Sequence, residues 1–199
     1  TDIKPSMSFV RKKIFVTGVA GFLGSHLAEK LVNLGHEVLG VDNMLGGYED
    51  NVPKNIEFHK GDCCDFEKMK SIMRGVDVVY HCAATAHEGL SVFSPNIITK
   101  NIFQASVVTI TAAVKNEVKR FVYCSSMARY GNQKSPFDEK MMPKPVDPYG
   151  IAKVAGEDIL KVLANLNNME WNIAVPHNII GPNQKYDDPF SCLLYTSDA

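Results

Sequence analysis

KKIFVTGVAGFLG, residues 12–24, is the stretch on which the fold turns. Ile14, Phe15 and Val16 form a short continuous apolar run of the kind a buried strand carries, and Gly18 closes it. Leu23, Leu27, Leu31 and Leu34 then recur at steps of four, four and three, which predicts a helix with one apolar stripe, ended by Gly35. Gly18, Gly21 and Gly24 therefore fall between a strand and a helix. In that context each glycine answers a separate demand: turning the chain, letting backbone approach a pyrophosphate, and letting helix pack closely on strand. The helix start adds free N–H groups and the positive end of its dipole. A plain tight turn is the competing reading of three glycines, and the strand-to-helix setting argues against it.

Outward from this loop the same alternation repeats. HEVLGVD (36–42), NIEFHKGD (55–62), VDVVYHCAA (76–84), RFVYCSS (120–126) and EWNIAVPH (170–177) read as strands. DFEKMKSIMRG (65–75), NIFQASVVTITAAVKN (101–116) and YGIAKVAGEDILKVLANLN (149–167) read as helices, the last preceded by a loop from Gly131 to Pro148. The pattern predicts an α/β fold, a doubly wound parallel sheet with helices on both faces and its ligand crevice at the carboxyl ends of the strands. Asp42 ends the second strand, where a carboxylate can accept hydrogen bonds from adenosine ribose hydroxyls and would repel a 2′-phosphate, so NAD is expected rather than NADP. Asp62 can meet an adenine amino group or cap the following helix.

Composition narrows the function classes. The 199 residues are 45% hydrophobic and 22% charged, with 21 basic against 22 acidic side chains and a net charge of −1. This balance offers no electrostatic reason to expect nucleic acid or an anionic membrane as partner. Of five cysteines, Cys63 and Cys64 are adjacent and Cys82, Cys124 and Cys192 stand apart, so no Cys-x-x-Cys pair suggests a metal, and reduced thiols are expected. No run approaches the ~18 to 20 apolar residues of a membrane span, and the opening TDIKPSMSFVRKK lacks the core of a signal peptide; a cytoplasmic protein is expected.

The helix from Tyr149 carries the candidate chemistry. Tyr149 and Lys153 are four residues apart and project from nearly the same side at ~100° per residue. Ile151, Val154, Ala155, Ile159, Val162, Leu163 and Leu166 form an apolar stripe on the other side, which predicts that the helix buries the stripe. A tyrosine titrates near ~10 in water, so acid–base work at neutral pH requires a cation to stabilise its phenolate, and Lys153 is placed to supply one. Ser125 and Ser126 end the fifth predicted strand at the crevice edge.

From about Lys12 to Gln184 the chain resembles the extended short-chain dehydrogenase/reductase family, in its nucleotide-sugar epimerase/dehydratase branch. The resemblance lies in GVAGFLG (18–24), VDN (41–43), GD (61–62), HCAA (81–84), CSSMARYG (124–131), YGIAK (149–153) and NIIGP (178–182), in the family's order. It implies that Gly18, Gly21, Phe22, Leu23, Gly24, Asp42 and Asn43 hold NAD. It places Asp62 and Cys63 at the adenine, Ala83 and Ala84 along the cofactor, Asn101 near the nicotinamide ribose, and Pro176 on the cofactor as well. Tyr149 is implied as acid/base, with Lys153 bonding the nicotinamide ribose and favouring the tyrosinate. The catalytic hydroxyl falls on Ser126, and Asn178 reaches the nucleotide-sugar substrate. No metal is implied. Members often dimerise through the two long helices, here 101–116 and 149–167, so a homodimer is expected of the full-length protein.

Three departures from the family's pattern stand out. Where dehydratases of the family carry an Asp-Glu pair after the catalytic hydroxyl, this chain has Met127 and Ala128, neither able to move a proton. Arg129 stands where an apolar residue is usual; the sequence assigns it no role, a surface ion pair being the plainest reading, and Ala86 stands where some epimerases have a lysine. The resemblance then implies an NAD-dependent epimerase acting by transient oxidation at carbon four of a UDP-hexose. A reductase or dehydrogenase with net hydride transfer, and a non-catalytic NAD-binding protein, are the alternatives. Expected along the chain are an N-terminal extension (1–11), the NAD-binding domain with the catalytic helix (12–184) and the start of a truncated substrate region (185–191). CLLYTSDA (192–199) resembles a translated sequencing-adapter tail, and the native protein is expected to be longer.

Overall fold

The computed structural model of the protein describes residues 10–85 and 88–184, with the side chains of 88–90 outside that description. Ala86 and the expected segments 185–191 and 192–199 lie outside the described residues, as does most of the extension before Lys12.

The predicted alternation is present. In chain order the elements are β1 (Lys13–Thr17), α1 (Phe22–Asn33), β2 (Glu37–Asp42), β3 (Glu57–Lys60), α2 (Phe66–Ile72), β4 (Val78–His81), α3 (Glu88–Phe93), α4 (Pro95–Thr99), α5 (Ala105–Lys115), β5 (Arg120–Cys124), α6 (Pro148–Leu166) and β6 (Glu170–Ala174). All six strands run parallel in one sheet, in the order β3-β2-β1-β4-β5-β6. The order reverses between β1 and β4, and at such a switch point the strand ends diverge and leave a crevice.

Alternation along each strand feeds two cores. Phe15, Leu39, Val41, Val79, Phe121 and Tyr123 face α2, α5 and α6, in a cluster with Met69, Met73, Ile110 and Leu160. Ile14, Val16 and Val38 face the other way, onto Ala28 and Leu31 of α1. Burying one such leucine or phenylalanine contributes about 1.5–3 kcal/mol, so the cores rather than local propensity hold the helices in place.

Three expectations are corrected here. The leucine stripe of α1 does not all point inward: Leu23 and Leu34 are exposed, whereas Gly24, Ser25, Ala28 and Leu31 are buried. The cause is Gly24, whose missing Cβ lets the helix rest on the Gly18 carbonyl and so rotates the 24/28/31 face inward. On α6 the stripe is split: Ile159 and Leu163 pack half-buried on the core, Ile151, Val162 and Leu166 are 55%, 56% and 74% exposed, and the fully buried face is Tyr149, Ala152, Lys153, Gly156, Glu157, Leu160 and Ala164. Finally, a stretch long and apolar enough to cross a membrane does exist, Pro95–Lys115, with a mean hydropathy of 1.4 in its most apolar window. It is one rod, α4 and α5 joined by a π-helical turn (Lys100–Gln104), and its buried side includes Ile98, Ile102, Ala105, Ile110 and Ala113. Its apolar character is that of a helix laid against α2, α6 and the sheet.

Candidate active site at the sheet switch point

A cavity of about 540 Å³ opens at the carboxyl ends of the strands. Its floor is the bend after β1. Gly18 has φ +72°, and a Cβ there would lie 2.9 Å from the backbone N and Cα of Ala83; a Cβ on Gly24 would run far inside van der Waals contact of the Gly18 carbonyl oxygen. Gly21 caps α1 without a side-chain hydrogen bond, and the first turn holds no acidic residue, so its backbone N–H groups are left for an anion.

Asp42 closes the far side. Its Oδ2 accepts the Ala20 N–H at 3.0 Å and its Oδ1 the Met44 N–H at 2.8 Å, which orients the carboxylate at the cavity wall. A carboxylate has about four acceptor positions, so both oxygens can still accept ribose hydroxyls. Asp62 accepts the Cys64 N–H at 2.9 Å and faces Lys100 at 3.5 Å. Burial raises its pKa, but the Cys64 N–H and the Lys100 charge outweigh it and hold the carboxyl below its ordinary range. Burial pushes the neighbouring Cys63 thiol up, so it is an inert wall of the pocket.

The opposite wall comes from β5, the turn Met127–Tyr130 and α6. Asp147 caps α6, accepting the Gly150 N–H at 2.8 Å, with Pro148 in the first turn. Gly150 and Gly156 let the helix descend: side chains there would meet the Ala128 carbonyl oxygen and the Tyr123 hydroxyl. Tyr149 and Lys153 thereby reach the cavity. Lys153 is buried; its Nζ donates to the Cys124 carbonyl at 2.6 Å and stands 5.4 Å and 6.0 Å from the ring centres of Tyr123 and Tyr149. Burial lowers its pKa, and the Coulombic pull of Tyr123, Tyr149 and Cys124 more than offsets this, so the side chain is a firm cation.

Ser125 and Ser126 separate cleanly. The Ser125 hydroxyl donates to buried Glu157. Ser126 Oγ instead accepts the Ala128 N–H at 3.2 Å while lining the cavity, so its own proton can be donated to a ligand. Every residue expected on the cofactor or substrate lines this one cavity: Gly18, Gly21, Phe22, Leu23, Gly24, Asp42, Asn43, Asp62, Cys63, Ala83, Ala84, Asn101, Ser126, Tyr149, Lys153, Pro176 and Asn178. Asn101 is turned there by the π-helical segment and donates to Thr85 Oγ1 at 3.0 Å.

Several participants carried no sequence signal of their own. Arg129 is not a surface ion pair: it lies 3.2 Å from Glu157, the two side chains 11% and 0% exposed, and it stacks on Tyr130. Glu157 stands one turn beyond Lys153, and that spacing alone was available to find it. His81 bridges β1 and α5, its Nδ1 2.8 Å from Thr17 Oγ1 and its Nε2 3.1 Å from Ser106 Oγ. Burial, with Lys153 adding to it, pushes His81 down to about 3, so it is neutral. Thr17 Oγ1 also accepts the Ala83 N–H at 3.1 Å, which fits a tautomer with the Thr17 hydroxyl donating to Nδ1.

A 3-2-1-4-5-6 sheet with a glycine bend, an acidic residue ending β2 and a Tyr–Lys pair across the crevice defines a dinucleotide-binding enzyme fold. Within that class the chain belongs to the NAD dependent epimerase/dehydratase family, whose description matches residues 14–194. It is 32% identical over 177 residues to a UDP-glucose 4-epimerase of Streptomyces lividans, covering 86% of this chain and 54% of that one. Among solved structures, UDP-glucose 4-epimerase of Thermotoga maritima with UDP-glucose superposes with a TM-score of 0.84 at 34% identity, over 87% of this chain and 58% of that one. A dTDP-glucose 4,6-dehydratase of Streptomyces venezuelae, solved with NAD, superposes with a TM-score of 0.82 at 26% identity, over 86% and 57%. The chain thus spans little more than half the length of these relatives.

The cofactor expectation agrees with the family, and the cavity fits it. The glycine cradle admits backbone-close phosphates, α1 presents its N–H groups, and Asp42 is oriented for a ribose.

Proposed function

We propose that this chain is the cofactor half of an NAD-dependent nucleotide-sugar epimerase that works at carbon four of a UDP-hexose. The reading rests on Tyr149, which lines the same cavity as the glycine bend and stands beside a buried ammonium. Gly18, Gly21 and Gly24 hold the pyrophosphate and Asp42 the adenosine ribose; Asp62 and Cys63 border the adenine. Bound NAD supplies the hydride acceptor and donor for the sugar carbon. Tyr149, as the tyrosinate that the Lys153 ammonium favours, takes the proton from the sugar hydroxyl, holds it while the sugar is oxidised and then returns it. Ser126 donates to the reacting oxygen, and Asn178 contacts the sugar nucleotide. Met127 and Ala128 hold no group that could remove a proton from the neighbouring carbon, which favours epimerisation over dehydration.

Exposed Ile151, Val162 and Leu166 on α6 support a homodimer packed through this helix, as the resemblance implies. The cytoplasm is the compartment proposed for it.

The test uses the longest reading frame that contains these residues. Epimerised UDP-hexose should form with NAD retained through turnover, and Tyr149→Phe should abolish product while NAD still binds. NAD consumed in proportion to product would favour the reductase reading. An unchanged rate in Tyr149→Phe would reject the acid/base assignment.

A further inference from the structure

Two thiols outside the proposed mechanism face one another in the wall of this cavity. Cys82 and Cys124 follow the last residue or close the end of adjacent strands, and the β4–β5 register, which ends at His81↔Tyr123, places them side by side one step further on. Their sulfurs are 3.5 Å apart, and both residues line the cavity. Neighbouring strands lie about 4.7–4.9 Å apart, within the span of roughly 4.4–6.8 Å between Cα atoms that a disulfide bridges. Bonding therefore requires the sulfurs to close to about 2.0 Å without repairing the sheet.

We propose that Cys82 and Cys124 form an oxidative modification site, a dithiol that a small disulfide entering the cofactor cavity converts to an intramolecular disulfide.

The two sulfurs are not equivalent. The sulfurs share one hydrogen bond, which either can donate; with Cys82 as donor it lowers the Cys124 pKa to about 7, against burial and with help from the Lys153 ammonium. The same hydrogen bond and burial raise Cys82. Thiolate is the attacking form, so Cys124 attacks and Cys82 resolves. The Cys124 sulfur, its proton released, bonds to one sulfur of the small disulfide; that S–S bond breaks and the departing thiolate takes up a proton. Cys82 then loses its proton, its sulfur displaces the remaining small thiolate from Cys124, and that thiolate is protonated in turn. Two protein thiols are oxidised by two electrons, and one small disulfide is reduced to two thiols.

The site is placed to affect cofactor binding, a consequence that rests on the function proposed above. Cys82 precedes Ala83, whose backbone packs on Gly18 and whose N–H is held by Thr17; the Cys124 carbonyl anchors Lys153. Drawing the two sulfurs together moves both supports at once. Bound NAD in turn covers the thiols.

The experiment treats the folded 199-residue chain with oxidised glutathione, with and without NAD, and maps tryptic peptides. A linked pair of peptides 75–100 and 121–129, about 2 Da lighter than their reduced sum and released by reductant, is expected. Saturating NAD should slow its formation at least tenfold. Cys82→Ser should leave glutathione on Cys124, and Cys124→Ser should leave Cys82 unmodified. Absence of the linked peptides from a chain that stays folded overturns the proposal, as does glutathione captured by Cys82 but not Cys124. NAD binding is read separately by titration of the reduced and oxidised chains, with at least tenfold weaker binding expected after oxidation. Failure of the reduced chain to bind NAD would defeat the cofactor reading while the peptide map still decides the thiol site. Equal binding by both forms would overturn the coupling between them.

Discussion

The ammonium of Lys153 donates to the main-chain carbonyl of Cys124 at 2.6 Å, so a buried cation on α6 is tied to the end of β5. The bond fixes where the charge stands relative to Tyr149. Lys153→Met should lower turnover by about a hundredfold or more, because the tyrosinate loses its counter-charge. Lys153→Arg should not restore it, since a planar guanidinium does not fit a site shaped for a single ammonium. Steady-state rates of the two variants check this, and full recovery in Lys153→Arg would contradict the geometry.

Gly24→Ala is expected to fail at the fold itself. Its Cβ would overlap the Gly18 carbonyl, and the overlap is with backbone, which cannot rotate away. Overpacking of this kind costs about 1–3 kcal/mol or more, to be read as a lower urea midpoint, with NAD affinity reduced in any fraction that folds. Gly46→Ala is the control, since nothing lies within 4 Å of a Cβ at that position.

Glu157 is fully buried between the Ser125 hydroxyl and the Arg129 guanidinium, with Lys161 3.7 Å away. Breaking a buried pair from one side leaves the other charge without compensation, at about 3–5 kcal/mol. Glu157→Leu should therefore destabilise strongly, and Arg129→Met together with Glu157→Leu should destabilise less than the two single changes added. Urea unfolding of the four proteins measures the coupling; strict additivity would show that the pair does not interact.

His81 links stability to pH. Its folded pKa is pushed down to about 3, whereas an unfolded histidine titrates near ~6.5. Between these values the unfolded chain binds the extra proton, so stability is full above the unfolded value and declines as pH falls below it. The expected loss is about 1 kcal/mol for each pH unit. Urea midpoints at pH 7 and pH 5 should show it, and His81→Gln should flatten that interval; an unchanged slope would mean that His81 is not the group responsible.

Most strands were legible as short apolar runs between turn residues, with β3 (EFHK) legible by its place in the alternation, and Gly18, Asp42, Tyr149 and Lys153 were legible because they occur together, in one order, at the ends and starts of those elements. The faces of the helices were not. On α6, Lys153 and Glu157 are buried beside Tyr149 because residues distant in sequence supply their partners: the Cys124 carbonyl accepts from Lys153, and the Ser125 hydroxyl and the Arg129 guanidinium meet Glu157. Apolar periodicity therefore found only part of the buried face, Ile159 and Leu163, and included Ile151 and Leu166, which are exposed. On α1, rotation is set by contact between Gly24 and Gly18 rather than by leucine count. The π-helical turn that brings Asn101 to the cavity leaves no trace in a pattern read at 3.6 residues per turn.

Because the sheet order reverses between β1 and β4, the chemistry gathers at one rim of the molecule, and the opposite rim is a seam of main-chain bonds, Glu37 to Lys12, Asp77 to Lys13, Lys119 to Asp77 and Glu170 to Lys119, flanked by the side chains of Asp77 on the Lys13 N–H and of Arg120 on Glu170. Loops on that lower rim can lengthen, shorten or change charge with little effect on what the upper rim does. Diversification and grafting of new peptide segments have a natural home there.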